Sequence, residues 1–302
     1  MKAAMVGAIL WAVVALAPLD PNLGIGTIEK LFLLGPLVVV PMGLHLASRR
    51  SQWWTTVTAT AVVASFLVPT GARAGMLCVP WLMTCVVIGI IGAIRLARMV
   101  SPGERDEQRI CQAVGMMGLV VGGVGLLQSR AGLEPLGFHE PLVLLVAVHF
   151  HFAAFVTPLA AGEVVKRMRD DGGRMKWGLT ACAICGSPML AAGYVSHVAV
   201  MRLIGASLLV VALVIVAIWL LLNLRKIRPG VARVLLGVSA VSVVAAMAYA
   251  SLYALADFLG QVWVSIPQMA RTHGALNAVA FSVCGLWGWN VAAKGGGHVA
   301  RA

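Results

Sequence analysis

The sequence predicts an all-α, polytopic transmembrane helical bundle of about ten spans, with both termini cytoplasmic. Three observations predict it. Hydrophobic residues make up 60% of the 302-residue chain and charged residues 11%, with a mean hydropathy of +0.93, the balance of a polytopic membrane chain. Apolar stretches of about 20 residues, the length that crosses a bilayer core, recur from end to end. The basic residues gather in alternate connections, which gives the bundle a direction.

The spans fall at 3–19, 28–47, 53–70, 76–97, 108–129, 140–162, 176–197, 202–223, 231–256 and 266–292. The first follows Lys2 and runs apolar to Leu19; Ala15-Leu16-Ala17 resembles a leader-peptidase site, but Pro18 in the next position disfavours cleavage, so a retained span is expected. The second opens at Glu29-Lys30, contains Pro36 and ends past His45. The third, fourth and fifth lie between Arg49-Arg50, Arg73, Arg95-Arg98 and Arg130. The sixth opens at Glu140 after His139 and carries His149, His151 and Pro158, and the seventh holds Cys182, Cys185, Gly186 and Pro188 before Tyr194 and His197. The eighth runs from Arg202 to Arg225, the ninth ends in Tyr249, Tyr253 and Asp257, and the tenth opens with Arg271, His273 and Asn277. No stretch remains for a soluble domain, so residues 1–302 read as a single integral membrane domain.

The net charge is +12. In a soluble protein that would suggest nucleic acid, but here 18 of the 23 Lys and Arg lie at the termini or in alternate loops. Lys30, Arg73, Arg130, Arg202 and Arg271 lie on the other side. The positive-inside rule therefore assigns the rich side to the cytoplasm of a bacterial inner membrane. The connection at 163–175, with Lys166, Arg167, Arg169, Arg174, Asp170 and Asp171, reads as a solvated anchor near acidic headgroups. All six cysteines lie in or beside spans, so a disulfide framework is not expected, and Cys182 and Cys185 read as small packing residues.

Polar residues inside the spans concentrate toward the outer side, and ionisable groups at that depth are costly unless paired or hydrated. This predicts one outward-facing hydrated pocket. Its candidate catalytic residues are His149, His151, Asp257, His273 and Glu29, and its candidate substrate contacts are Arg271, Asn277, Tyr249, Tyr253, Tyr194 and Glu140. Tyr249, Tyr253 and Asp257 recur every four residues on one helix stripe. His149 and His151, two apart, face different directions. Plainer readings stand beside these: interfacial belt for the tyrosines, a Glu29–Lys30 surface pair, and Arg271 paired with Asp257 to hold two helix ends.

The segments Ile28-Glu29-Lys30-Leu31-Phe32-Leu33-Leu34-Gly35-Pro36-Leu37-Val38, His149-Phe150-His151-Phe152-Ala153-Ala154-Phe155 and Arg271-Thr272-His273-Gly274-Ala275-Leu276-Asn277 together resemble the YndJ-like family of bacterial membrane proteins. The resemblance implies an architecture rather than an activity. Locally, Val148-His149-Phe150-His151-Phe152 is similar to the haem-binding helix of heme–copper oxidases, which would make His149 and His151 axial ligands. The chain lacks that family's His-His pair and His-x-x-x-Tyr motif.

Three functions follow as expectations. The first is an intramembrane enzyme using acid–base chemistry on a lipophilic, isoprenoid-like substrate (isomerisation, cyclisation or hydration), with no cofactor. The second is a transporter of a small solute, with Gly186, Pro188 and Pro158 as helix breaks. The third is a haem or metal protein through His149, His151 and His273. The expected partners are membrane lipids and a lipophilic small molecule, with no nucleic acid.

Overall fold

The computed structural model describes residues 1–17, 25–48, 52–99, 106–168 and 173–295. Among these lie ten helices at the ten places the apolar stretches mark. They are α1 (Lys2–Leu16), α2 (Thr27–Ser48), α3 (Trp53–Phe66), α4 (Ala72–Met99), α5 (Glu107–Ala131), α6 (Leu142–Val165), α7 (Arg174–Val195), α8 (Ala199–Lys226), α9 (Gly230–Phe258) and α10 (Ile266–Lys294). The chain is a polytopic helical bundle. Eight of the helices are long and apolar enough to cross a membrane. The exceptions are α1, with 15 residues, and α3, with 14. At about 1.5 Å per residue these reach roughly 20 Å against a hydrocarbon core of about 30 Å. Arg49, Arg50, Arg105, Arg169, Asp170, Asp171 and Arg301, which the charge argument used, lie outside the described residues.

The helices gather into two compact units, Met1–Phe155 and Val156–Ala302, dividing within α6. In the first, glycine brings helix backbones together. A Cβ on Gly7 of α1 would fall on the Leu37 carbonyl of α2. On α5, Gly118, Gly122 and Gly125 face Ala154, His151 and Ala147 of α6 in antiparallel order. Small residues take this role in lipid because apolar burial by itself does not favour helix contact there. Halfway along α2 the backbone widens into a π segment at Gly35–Val39, wholly buried. Pro36 has no N–H and clashes with the carbonyl four residues earlier, and a wider turn accommodates both. The third span was expected to reach 70, but α3 ends at Phe66. There the Arg130 guanidinium of α5 donates to the carbonyls of Ser65 (2.9 Å) and Val68 (3.0 Å) and to Thr70 Oγ1 (3.1 Å).

In the second unit α7 and α8 meet along Gly186, Gly193 and Gly205. Gly186 and Pro188 are therefore not a break: α7 runs unbroken from Arg174 to Val195 with Pro188 inside it, and Gly186 receives Leu209 of α8. Pro158 sits inside the helical stretch Ala153–Val165, but α6 is interrupted at Phe152, six residues before it. α10 is irregular, with π segments at Ala270–Gly274 and Leu276–Val283. It is tied to α9 by Ser239 Oγ, which donates to the Phe281 carbonyl at 3.0 Å.

Candidate functional site

In the first unit, α6 aims His151 inward, where it is fully buried. Its Nδ1 lies 2.8 Å from the Ala147 carbonyl. A carbonyl only accepts, so Nδ1 carries the hydrogen. Its Nε2 accepts from the indole N–H of Trp81, also fully buried, at 2.9 Å. Trp81 stacks on the imidazole at 5.9 Å between centroids, and Phe32 meets it edge-on at 5.3 Å. Both ring nitrogens are thus engaged in an aromatic box. An axial haem ligand needs a free nitrogen lone pair, so this box does not fit the ligand role implied by the heme–copper resemblance. His149 is half-buried, and its Nδ1 donates to the Leu145 carbonyl at 2.8 Å.

The two candidate carboxylates of this unit are occupied by helix ends. Glu29 accepts from the Gly26 N–H at 2.8 Å and caps α2. The Glu29–Lys30 surface pair is absent, because Lys30 Nζ donates instead to the Ala15 carbonyl at 3.1 Å. Glu140 is exposed and accepts from the Leu144 N–H at 3.2 Å. An oxygen acceptor in the first turn of a helix fills groups that otherwise lack intrahelical partners.

The second unit holds the other candidates, in two groups. Near the Phe258 end of α9, Asp257 Oδ2 accepts from Nε of Arg202 on α8 at 2.7 Å. The Arg202 guanidinium also lies 5.3 Å from the Tyr194 ring, and Tyr253 lies beside Tyr194. The helix-end clasp expected between Arg271 and Asp257 is therefore made by Arg202, while Arg271 and Tyr249 are exposed. The i, i+4 stripe of α9 is real, but a helix face wide enough for three residues turns its first member outward.

Deeper in this unit, His273 Nδ1 donates to the Ala246 carbonyl of α9 at 2.9 Å. That leaves Nε2 as the lone-pair nitrogen, and Asn277 Nδ2 lies 3.0 Å from it and 3.3 Å from Nδ1. Ala246 precedes Asp257 by about 16 Å along α9 at 1.5 Å per residue. His273 and Asp257 consequently do not converge on one point, as the single-pocket reading required. The two described cavities, of about 10 Å³ around Ser239 and Trp289 and about 50 Å³ around Gln52 and Arg95, are lined by none of the expected residues.

Sequence reasoning missed three polar groups. In the sequence Arg202 reads only as an outside charge. Trp81 gives no signal without its partner. Glu163, read as a loop residue, lies on α6 at 3% exposure, and Arg167 donates to its Oε2 at 2.6 Å while lying 4.5 Å from the Trp289 ring. The i, i+4 Glu-to-Arg spacing was the available clue.

A sequence profile of the YndJ-like protein family matches residues 30–281. The chain belongs to the YndJ-like family. It is 27% identical over 214 residues to a relative in Bacillus subtilis (strain 168) described as uncharacterized membrane protein YndJ. That alignment covers 70% of this YndJ-like chain and 37% of the relative, so the chain spans well under half the relative's length. No solved structure matches. The three segments that carried the resemblance map onto the α2 π segment, the His151 box and the His273–Asn277 pair.

Proposed function

We propose that this YndJ-like membrane protein is an intramembrane enzyme that moves a proton on a lipophilic, isoprenoid-like substrate, in an isomerisation, cyclisation or hydration. The observation that supports the reading is the held tautomer of His273: Nδ1 is anchored on the Ala246 carbonyl, and the basic Nε2 faces Asn277. A positioned neutral imidazole is an efficient proton acceptor. It lies about 18 Å from the Phe258 end of α9, counting 1.5 Å per residue. That depth suits a carbon chain rather than a headgroup. π segments, which recur at functional sites, surround both His273 and Asn277. Asp257, salt-bridged to Arg202, serves here as an anchor for the polar end of an amphiphile rather than as the acid. In an isomerisation, Asn277 turns off Nε2 to free its lone pair, and His273 takes a proton from one carbon and returns it to another, so no further reagent is needed.

The test compares lipid extracts from cells expressing wild type, His273→Ala, or empty vector. Wild type is expected to yield a species of unchanged mass, or one water heavier, that His273→Ala at equal folded abundance does not. Extracts identical between wild type and empty vector would sink the reading.

Transport is the second reading, favoured by the π segments inside two spans, since transporters place irregular helices at their sites. Gradient-driven uptake by sealed vesicles carrying the protein, from a panel of small solutes, is the outcome it requires. We also infer residence in the bacterial cytoplasmic membrane, supported by the membrane relative and the apolar helices.

A further inference from the structure

One cavity lies apart from every expected site residue. Its volume is about 50 Å³, several times the roughly 10–15 Å³ that one water requires on the same measure. It is enclosed by the end of α2, the start of α3, the last turns of α4, and α5, all in the first unit. One wall is polar. Ser48 Oγ accepts from Gln52 Nε2 at 3.2 Å, and Gln52 Oε1 accepts from Trp54 Nε1 at 2.8 Å. Opposite stands Arg95, whose one described partner is the Met116 sulfur at 3.7 Å. A thioether is a weak acceptor, and Arg95 meets no carboxylate among the described residues. The floor is apolar, formed by Leu44, Ile88 and Met116.

A guanidinium with no carboxylate partner among the described residues, beside hydrogen-bonding groups, over an apolar floor and at the ends of membrane helices, has a specific chemical complement. We propose that this pocket seats the phosphate headgroup of an anionic lipid: the phosphate oxygens accept from Arg95 and Gln52, and the acyl chain lies over Leu44 and Ile88. Arg suits this role because its planar fork matches phosphate oxygens. Trp54, 40% exposed with its N–H turned to Gln52, is the amphipathic ring expected at headgroup level. The pocket also opens on the Lys/Arg-rich side, where anionic headgroups bind between helices.

The test uses purified full chain in neutral detergent, titrated with phosphatidylglycerol, with phosphatidylcholine, or with inorganic phosphate, followed by thermal unfolding and native mass spectrometry. Phosphatidylglycerol is expected to bind and raise the melting temperature, phosphatidylcholine to do so at least tenfold more weakly. Arg95→Gln should weaken phosphatidylglycerol about tenfold, the scale of one charge-assisted hydrogen bond. Arg95→Lys should retain part of the affinity, and Arg98→Gln, an exposed neighbour, all of it. Should Arg95→Gln not fold, Gln52→Leu removes the opposite wall and is expected to weaken binding as well. An equal response to inorganic phosphate, lost in Arg95→Gln, would overturn the lipid assignment in favour of a free anion. Equal binding of both lipids, or full binding by Arg95→Gln and Gln52→Leu, would overturn the site.

Discussion

His151 and Trp81 satisfy one another 2.9 Å apart in a place no water reaches. Truncating the histidine strands the indole N–H and opens a void together, so His151→Ala should destabilise by about 3 kcal/mol. His149→Ala, at a half-buried position whose described bond stays within its own helix, should lower the melting temperature far less. Equal shifts for the two would contradict the box. Arg202 and Asp257 are a second coupled pair, with side chains 17% and 30% exposed. Removing either leaves a poorly hydrated charge behind, whereas removing both leaves none. Arg202→Ala and Asp257→Ala should each destabilise, and the double variant should fall short of their sum by about 1–3 kcal/mol. Additive effects would mean that the pair contributes nothing beyond its parts.

Between helices, contact is governed by what glycine omits. A Cβ on Gly205 would lie 2.3 Å from the Leu190 backbone nitrogen, and backbone cannot step aside as a side chain can. Gly205→Ala should therefore push α7 and α8 apart and lower the melting temperature clearly. Gly178, on α7, has no neighbour within 4 Å. There Gly178→Ala should be neutral, or stabilising by up to about 1 kcal/mol from helix propensity. If both changes behaved alike, packing would not be the reason for glycine at 205. The π segments obey a related rule. At Gly35–Val39 a proline removes a hydrogen bond, and a Cβ on Gly35 would meet His151 Cβ at 3.2 Å.

For the molecule in its membrane, the charge asymmetry predicts direction. Single-cysteine variants in a background with all six native cysteines replaced, placed at 133 in the α5–α6 connection and at 228 in the α8–α9 connection, should react from opposite sides of intact cells. Position 133 is expected to take a membrane-impermeant thiol reagent from outside, and position 228 only after permeabilisation. The reverse pattern would invert the bundle and move the Arg202–Asp257 pair to the cytoplasmic side.

Apolar runs of bilayer length, with Lys and Arg sorted between alternate gaps, were enough to locate all ten helices, because in lipid a backbone must satisfy its own hydrogen bonds and length alone dictates the element. Candidate polar residues could likewise be picked out by the cost of placing them there. Their partners could not. Tyr249 and Tyr253 share a spacing, yet one is exposed and the other sits beside Tyr194. Asp257 chose Arg202 over Arg271, and His151 found an indole 70 residues away. Those choices depend on how neighbouring helices rotate and slide against each other. Glycine seams and π turns set that rotation in three dimensions, and a one-dimensional periodicity does not contain it.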